Sequence, residues 1–216
     1  MRKRSIIAAA SLAALSISAT SAFAATTFDG GYTETHNTSD PGLIINTKAI
    51  NSNFSFDLDQ GQSTSVQLFK IFTNETSVNA DDLASKVIDV EFAFTAPDAF
   101  GGGVSGTTSG QTAPLLFLQG FFQDGVVTWA NNGNAVLDFG NGGELGVHLN
   151  DATFNSGGFF GLDGGKKFAA TITADFTELK AASAVPEPAT WATMMVGLFG
   201  VGAVLRRSKA TAIVAA

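Results

Sequence analysis

The chain has 216 residues, two histidines, one tyrosine and no cysteine, with 12 basic and 19 acidic side chains for a net charge of −7. The missing cysteine excludes thiol catalysis, a disulfide framework and Cys-ligated zinc or iron–sulfur centres. Residues 25–185 hold only six lysines against 18 acidic residues, a net −12. Such a surface repels phosphate backbones, so nucleic acid is not an expected partner.

In chain order, Arg2, Lys3 and Arg4 precede an apolar run over residues 6–17, and small residues follow, ending in Ala22-Phe23-Ala24. That is the layout of a secretory signal peptide, with a charged start, a hydrophobic stretch and an A-x-A cleavage site. About a dozen apolar residues are too few to span a bilayer. Passage through the Sec translocon and cleavage after Ala24 by signal peptidase are the expectation.

Residues 25–42 read as a polar lead-in, with Gly30-Gly31 and Asp40-Pro41-Gly42 breaking any apolar period. Strands follow. Phe54, Phe56 and Leu58 alternate with polar residues, and residues 59–62 turn the chain. Residues 64–72 place Val66, Leu68 and Phe72 on one face and Phe69 and Ile71 on the other, a strand apolar on both sides. Residues 74–82 are polar loop. Ile88, Val90, Phe92 and Phe94 alternate with Asp89, Glu91 and Ala93 as a half-buried strand. The Gly-, Ser- and Thr-rich stretch 97–114 suggests a long mobile loop.

The second half offers three turn signals, Asp124-Gly125, Asn132-Gly133 and Asn141-Gly142-Gly143, each expected to close a hairpin. A last strand sets Phe168, Ala170, Ile172, Ala174 and Phe176 on one side. About eight strands with little helical periodicity predict a mostly β domain over 25–184, an antiparallel β-sandwich of jelly-roll or immunoglobulin-like type. Seventeen of the 19 phenylalanines lie in residues 25–185, enough to fill its core. A β-solenoid would need a fixed repeat, and none is visible.

Near the C-terminus, Val185-Pro186-Glu187-Pro188-Ala189-Thr190-Trp191-Ala192 leads into an apolar stretch and then Arg206-Arg207-Ser208-Lys209. Pro186 and Pro188 hold the chain extended. Trp191 suits a membrane interface, and the basic cluster suits the cytoplasmic side. Residues 191–205 would form a helix of roughly 22 Å, short of the roughly 30 Å hydrocarbon core and containing three glycines. A plain tail anchor or a buried C-terminal helix are the alternatives.

Residues 185–209 resemble the PEP-CTERM sorting signal in its PEPxxWA variant, through Pro186, Glu187, Pro188, Trp191, Arg206 and Arg207. The resemblance implies recognition by an exosortase, a membrane cysteine protease-transpeptidase that cuts near the Pro-Glu-Pro motif. It implies a transient stay in the inner membrane through a short transmembrane helix, 191–205. Release to the cell surface or the exopolysaccharide matrix follows. Residues 210–216 form a tail beyond the basic cluster. Such signals predict an address and leave the activity of the domain ahead of them open.

Within that domain the sequence carries no Gly-x-Ser-x-Gly elbow, no His-Glu-x-x-His and no phosphate-binding loop. His36 is expected to be solvated, and His148 to sit on a sheet face opposite Leu145, Val147 and Leu149. Asp57 and Asp59 offer oxygens for Ca²⁺, but Gly61 and Leu68 break the EF-hand spacing, and a strand-end turn explains the same residues. No metal, cofactor or catalytic residue is assigned. The aromatics Tyr32, Trp129, Phe159 and Phe160 are the candidates for stacking on sugars, with Trp129 also continuing a core-facing alternation. The resulting expectation is a non-enzymatic surface or matrix protein linked to exopolysaccharide or biofilm. The alternatives are a carbohydrate-binding or adhesive module and, after it, a carboxylate-dependent secreted hydrolase.

Overall fold

Apolar alternation becomes strand throughout the residues that a computed structural model of the chain describes, 25–114, 121–157, 160–183 and 194–199. The strands are β1 (Thr26–Thr35), β2 (Asn46–Ala49), β3 (Asn53–Leu58), β4 (Ser63–Phe72), β5 (Lys86–Ala96) and β6 (Phe100–Pro114). After them come β7 (Phe121–Trp129), β8 (Asn134–Phe139), β9 (Gly143–Leu149), β10 (Ala152–Phe154), β11 (Phe160–Gly161) and β12 (Ala170–Lys180). One sheet runs β10-β7-β6-β5-β1-β3 in antiparallel order, with the two residues of β11 lying parallel to β7. The other runs β2-β4-β12-β9-β8.

The sheets share one hydrophobic core, the arrangement of a β-sandwich. In β5 the residues Ile88, Val90, Phe92 and Phe94 are buried, and in β12 Ile172, Ala174 and Phe176 are buried, as their alternation predicts. Phenylalanines stitch the two sheets together. Phe28 of β1 meets Phe139 of β8 edge-on at 5.2 Å, and Phe176 of β12 is ringed by Phe54, Phe56, Phe92 and Phe94 at 5.0–6.0 Å. Such contacts add about 0.5–1.5 kcal/mol each beyond the area they bury.

Several expectations are corrected. The polar lead-in contains strand β1, which seats Phe28 and Tyr32 in the core and pairs with both β3 and β5. The Gly-rich stretch is strand β6, paired along its length with β5 and β7. Its inward positions 102, 106 and 110 are glycine because Leu137, Trp129 and Val78 fill the space a side chain would need. A Cβ there would stand 2.6–2.7 Å from their atoms.

Asp124-Gly125 lies inside β7 rather than in a turn, opposite Gly110 and Gln111, and the Phe154 ring packs onto Gly125. The two-sided look of β4 comes from a β-bulge. Phe69 pairs with Ile172 and Gln67 with Thr173, so Leu68 is the extra residue and the inward phase switches there.

Two turn signals behave differently from each other. Asn141-Gly142-Gly143 does close a hairpin, β8 to β9, with Gly142 at φ 74°. Asn131, Asn132 and Gly133 take φ of 51°, 55° and 75°, but they carry the chain from β7 in one sheet to β8 in the other. A tight positive-φ turn can cross between sheets as readily as it reverses within one.

Candidate functional site

The proposed sorting residues Pro186, Glu187, Pro188, Trp191, Arg206 and Arg207 lie outside the described residues, as does the signal peptide 1–24. What precedes the tail is well defined. Strand β12 ends at Lys180, Ala182 packs against the core, and the Ser183 amide donates to the Asn141 carbonyl at 3.0 Å. The sandwich therefore holds the chain down to Ser183, and only Ala184 and Val185 separate that anchor from Pro186.

Beyond it, residues 194–199 are helical. Met194, Met195, Val196, Leu198 and Phe199 are each more than half exposed, so this segment is not docked in the core. Among the described residues no helix is long and apolar enough to cross a membrane, and the expected span over 191–205 is represented only by these six residues.

Around β1 the outer face of the larger sheet is built from small and polar side chains. Asn53, Gly31, Ala93 and Gly101 stand in one row across β3, β1, β5 and β6. With no bulk along that row, the sheet forms an open hollow of about 720 Å³ flanked by Asp29 and Glu91. On the other sheet, Lys48 of β2 and Lys70 of β4 lie directly opposite each other and share a hollow of about 290 Å³ with Lys166. Among the described residues the only ion pair is Lys180 with Glu144, so these three lysines have no carboxylate partner.

The candidate aromatics separate. Trp129 packs in the core, 3 % exposed, and its ring N–H donates to the Asn150 carbonyl at 3.1 Å. Tyr32, expected at the surface, is buried instead. Its hydroxyl donates to the Leu68 carbonyl at 2.7 Å, an oxygen that also accepts from the Ile50 and Asn51 amides. Burial, followed by the nearby Glu34 carboxylate, pushes its pKa up to about 12. The Phe160 backbone joins β11 beside Phe121, and Phe159 lies outside the described residues.

The polar candidates other than His36 have structural partners. His36 is half-buried, with Nδ1 unpartnered, and burial draws its pKa below the usual histidine value despite the opposing pull of Glu34. Nε2 of His148 pairs with Asn150 Oδ1 at 3.1 Å. Asp57 accepts from Thr27 Oγ1 at 2.6 Å, and Asp59 closes the β3–β4 turn around Gly61 at φ 85°. Asp151 accepts from the Trp129 amide at 2.8 Å.

Two polar clusters had no signal in the sequence. Asn155, fully buried at φ 51°, accepts from the Thr73 amide at 2.8 Å and donates to the Asp163 and Gly165 carbonyls at 2.5 and 3.0 Å. The second cluster joins Asp40, Glu75 and Asp82, one carboxylate oxygen of each lying within 4.8 Å of the others. Burial, more than any neighbour, pushes the Glu75 carboxyl above the usual carboxylate range. The Ile44 amide opposes that shift, and the Asp82 and Asp40 charges reinforce it.

Residues 184–208 match the family model described as the PEP-CTERM protein-sorting motif. The match begins one residue after Ser183, where the hydrogen-bonded sandwich stops. No curated protein and no solved structure matches the chain significantly. The motif makes the chain an exosortase-targeted exported protein bound for the cell surface or beyond.

Proposed function

We propose that the chain is a non-enzymatic component of the cell surface or extracellular matrix, associated with exopolysaccharide or biofilm. Its β-sandwich would be the cargo and residues 185–209 the address. The observation that carries this reading is the junction between them, where the sorting motif starts directly after the last residue anchored to the sandwich. A folded domain ending so close to the Pro-Glu-Pro motif is a finished unit to be released. Residues 191–205 would hold it in the inner membrane until the exosortase acts. Export itself would use the Sec translocon and signal peptidase at residues 1–24.

Replacing Pro186, Glu187 and Pro188 by alanines tests the assignment. Export should persist while the protein accumulates in the inner-membrane fraction; undiminished delivery to the surface would remove the sorting role.

A second reading, a module that binds acidic polysaccharide, is favoured by the lysine hollow. Like charges directly opposite on neighbouring strands destabilise a sheet, yet Lys48 and Lys70 stand so in a domain of net −12. A polyanionic chain would relieve that repulsion. Retention on immobilised alginate but not on neutral dextran, lost in the double variant Lys48→Glu/Lys70→Glu, is the expected result. Equal retention by the variant would dismiss the hollow as the contact.

A further inference from the structure

The three carboxylates of Asp40, Glu75 and Asp82 come from two loops that each carry the chain between the sheets. Residues 36–45 lead from β1 to β2, and residues 73–85 lead from β4 to β5. Short hydrogen bonds fix both loops. Ile44 N donates to Glu75 Oε1 at 2.7 Å, Gly42 N to Asp81 Oδ2 at 3.0 Å, and Asn79 N to Asp82 Oδ2 at 2.8 Å. Asp82 is fully buried, and its second oxygen, Oδ1, meets no donor. Its carboxylate is in side-chain contact with that of Glu75. Among the described residues no lysine or histidine pairs with any of the three acids.

A buried carboxylate oxygen without a donor costs about 1–3 kcal/mol or more, and gathering like charges around it adds to that cost. The fold accepts both at one place, between its two crossovers. A cation removes both costs together. The donor set is oxygen only, as hard divalent ions require, and oxygens about 2.4 Å from a shared Ca²⁺ lie no more than about 4.8 Å apart. A Mg²⁺ ion would need a tighter octahedron at about 2.0–2.1 Å.

We infer that Asp40, Glu75 and Asp82 form a Ca²⁺ site that clasps the β1–β2 crossover to the β4–β5 crossover. Exposed Asp40 is the gate ligand, half-buried Glu75 bridges, and buried Asp82 presents Oδ1 from below. Backbone carbonyls and water complete the six to eight oxygens that the ion takes. The site is separate from Asp57, whose carboxylate accepts from Thr27 across the β1–β3 pair, and from Asp59, whose carbonyl closes the β3–β4 turn.

The test is a titration of the full chain, solubilised in detergent and stripped with EDTA, against CaCl₂ and in parallel against MgCl₂. It is read by calorimetry and by thermal unfolding. Ca²⁺ should bind with a stoichiometry of one and raise Tm, with at least tenfold weaker binding of Mg²⁺. Asp40→Asn, at an exposed position that cannot collapse the core, should weaken Ca²⁺ at least tenfold while leaving Tm in EDTA unchanged or higher. Glu75→Gln should do the same, and the turn variant Asp59→Asn should bind as wild type. No heat and no Tm shift at millimolar Ca²⁺ would overturn the inference. So would undiminished Ca²⁺ binding by Asp40→Asn and Glu75→Gln.

Discussion

Replacing Asn155 by alanine removes a buried side chain whose amide ties the loop 155–168 to the end of β4. The amide group satisfies Thr73 N, Asp163 O and Gly165 O, of which Thr73 is fully buried and the other two residues are partly exposed. Water can reach the two carbonyls, so the main loss is the stranded Thr73 N–H, about 1–3 kcal/mol. Alanine must also hold φ 51°, which costs a Cβ-bearing residue about 1–2 kcal/mol. Together these amount to about 3 kcal/mol, or roughly 6–12 °C in Tm for a domain of this size.

Urea unfolding followed by tryptophan fluorescence measures the loss. Asn155→Gly separates the two parts, because glycine takes the positive φ freely and should be about 0.5–1 kcal/mol less damaging than alanine. A loss below about 1 kcal/mol for Asn155→Ala would refute the role of Asn155 as a buried hub.

Other substitutions probe the core and its edges. Phe176→Ala should cost about 3–5 kcal/mol in the same assay, since four rings and full burial leave a cavity that neighbours cannot close. Gly125→Ala should cost about 1–3 kcal/mol by forcing the Phe154 ring aside; a neutral result would return Asp124-Gly125 to a turn. The single tyrosine can be titrated by its ultraviolet absorbance. Because its folded pKa is raised to about 12, Tyr32 contributes stability that is complete below pH about 10 and is lost as pH rises through about 12. A folded protein ionising at about 10 would contradict its burial.

What was legible in the sequence was local. The alternation of residues 88–94 and 170–176 announced β5 and β12 because each inward residue is apolar in its own right. Phe168, expected on the same inward face, sits exposed in a 3-10 turn just before β12. The sorting signal was readable for the same reason, since its proline pair, tryptophan and basic cluster are contiguous. Strand β6 was hidden because its inward glycines borrow bulk from Leu137, Trp129 and Val78, residues remote in sequence. Strand β1 was hidden by Gly30 and Gly31, which part Phe28 from Tyr32. Gly30 gives way to the Phe94 ring, and Gly31 sits in the outer row. The bulge at Leu68 reversed the face of half a strand without any residue to mark it. The Asp40–Glu75–Asp82 cluster arises only when two crossovers meet, so no spacing along the chain could reveal it.

The central claim is that the sandwich is cargo released at the Pro-Glu-Pro motif, and intact mass of the native protein from its producing cells tests it most directly. A species beginning at Ala25 and ending near Pro186–Pro188, absent from cells lacking the exosortase, is the expected result. A species that retains Trp191 through Ala216 with or without the enzyme would contradict it and make the chain a tail-anchored membrane protein.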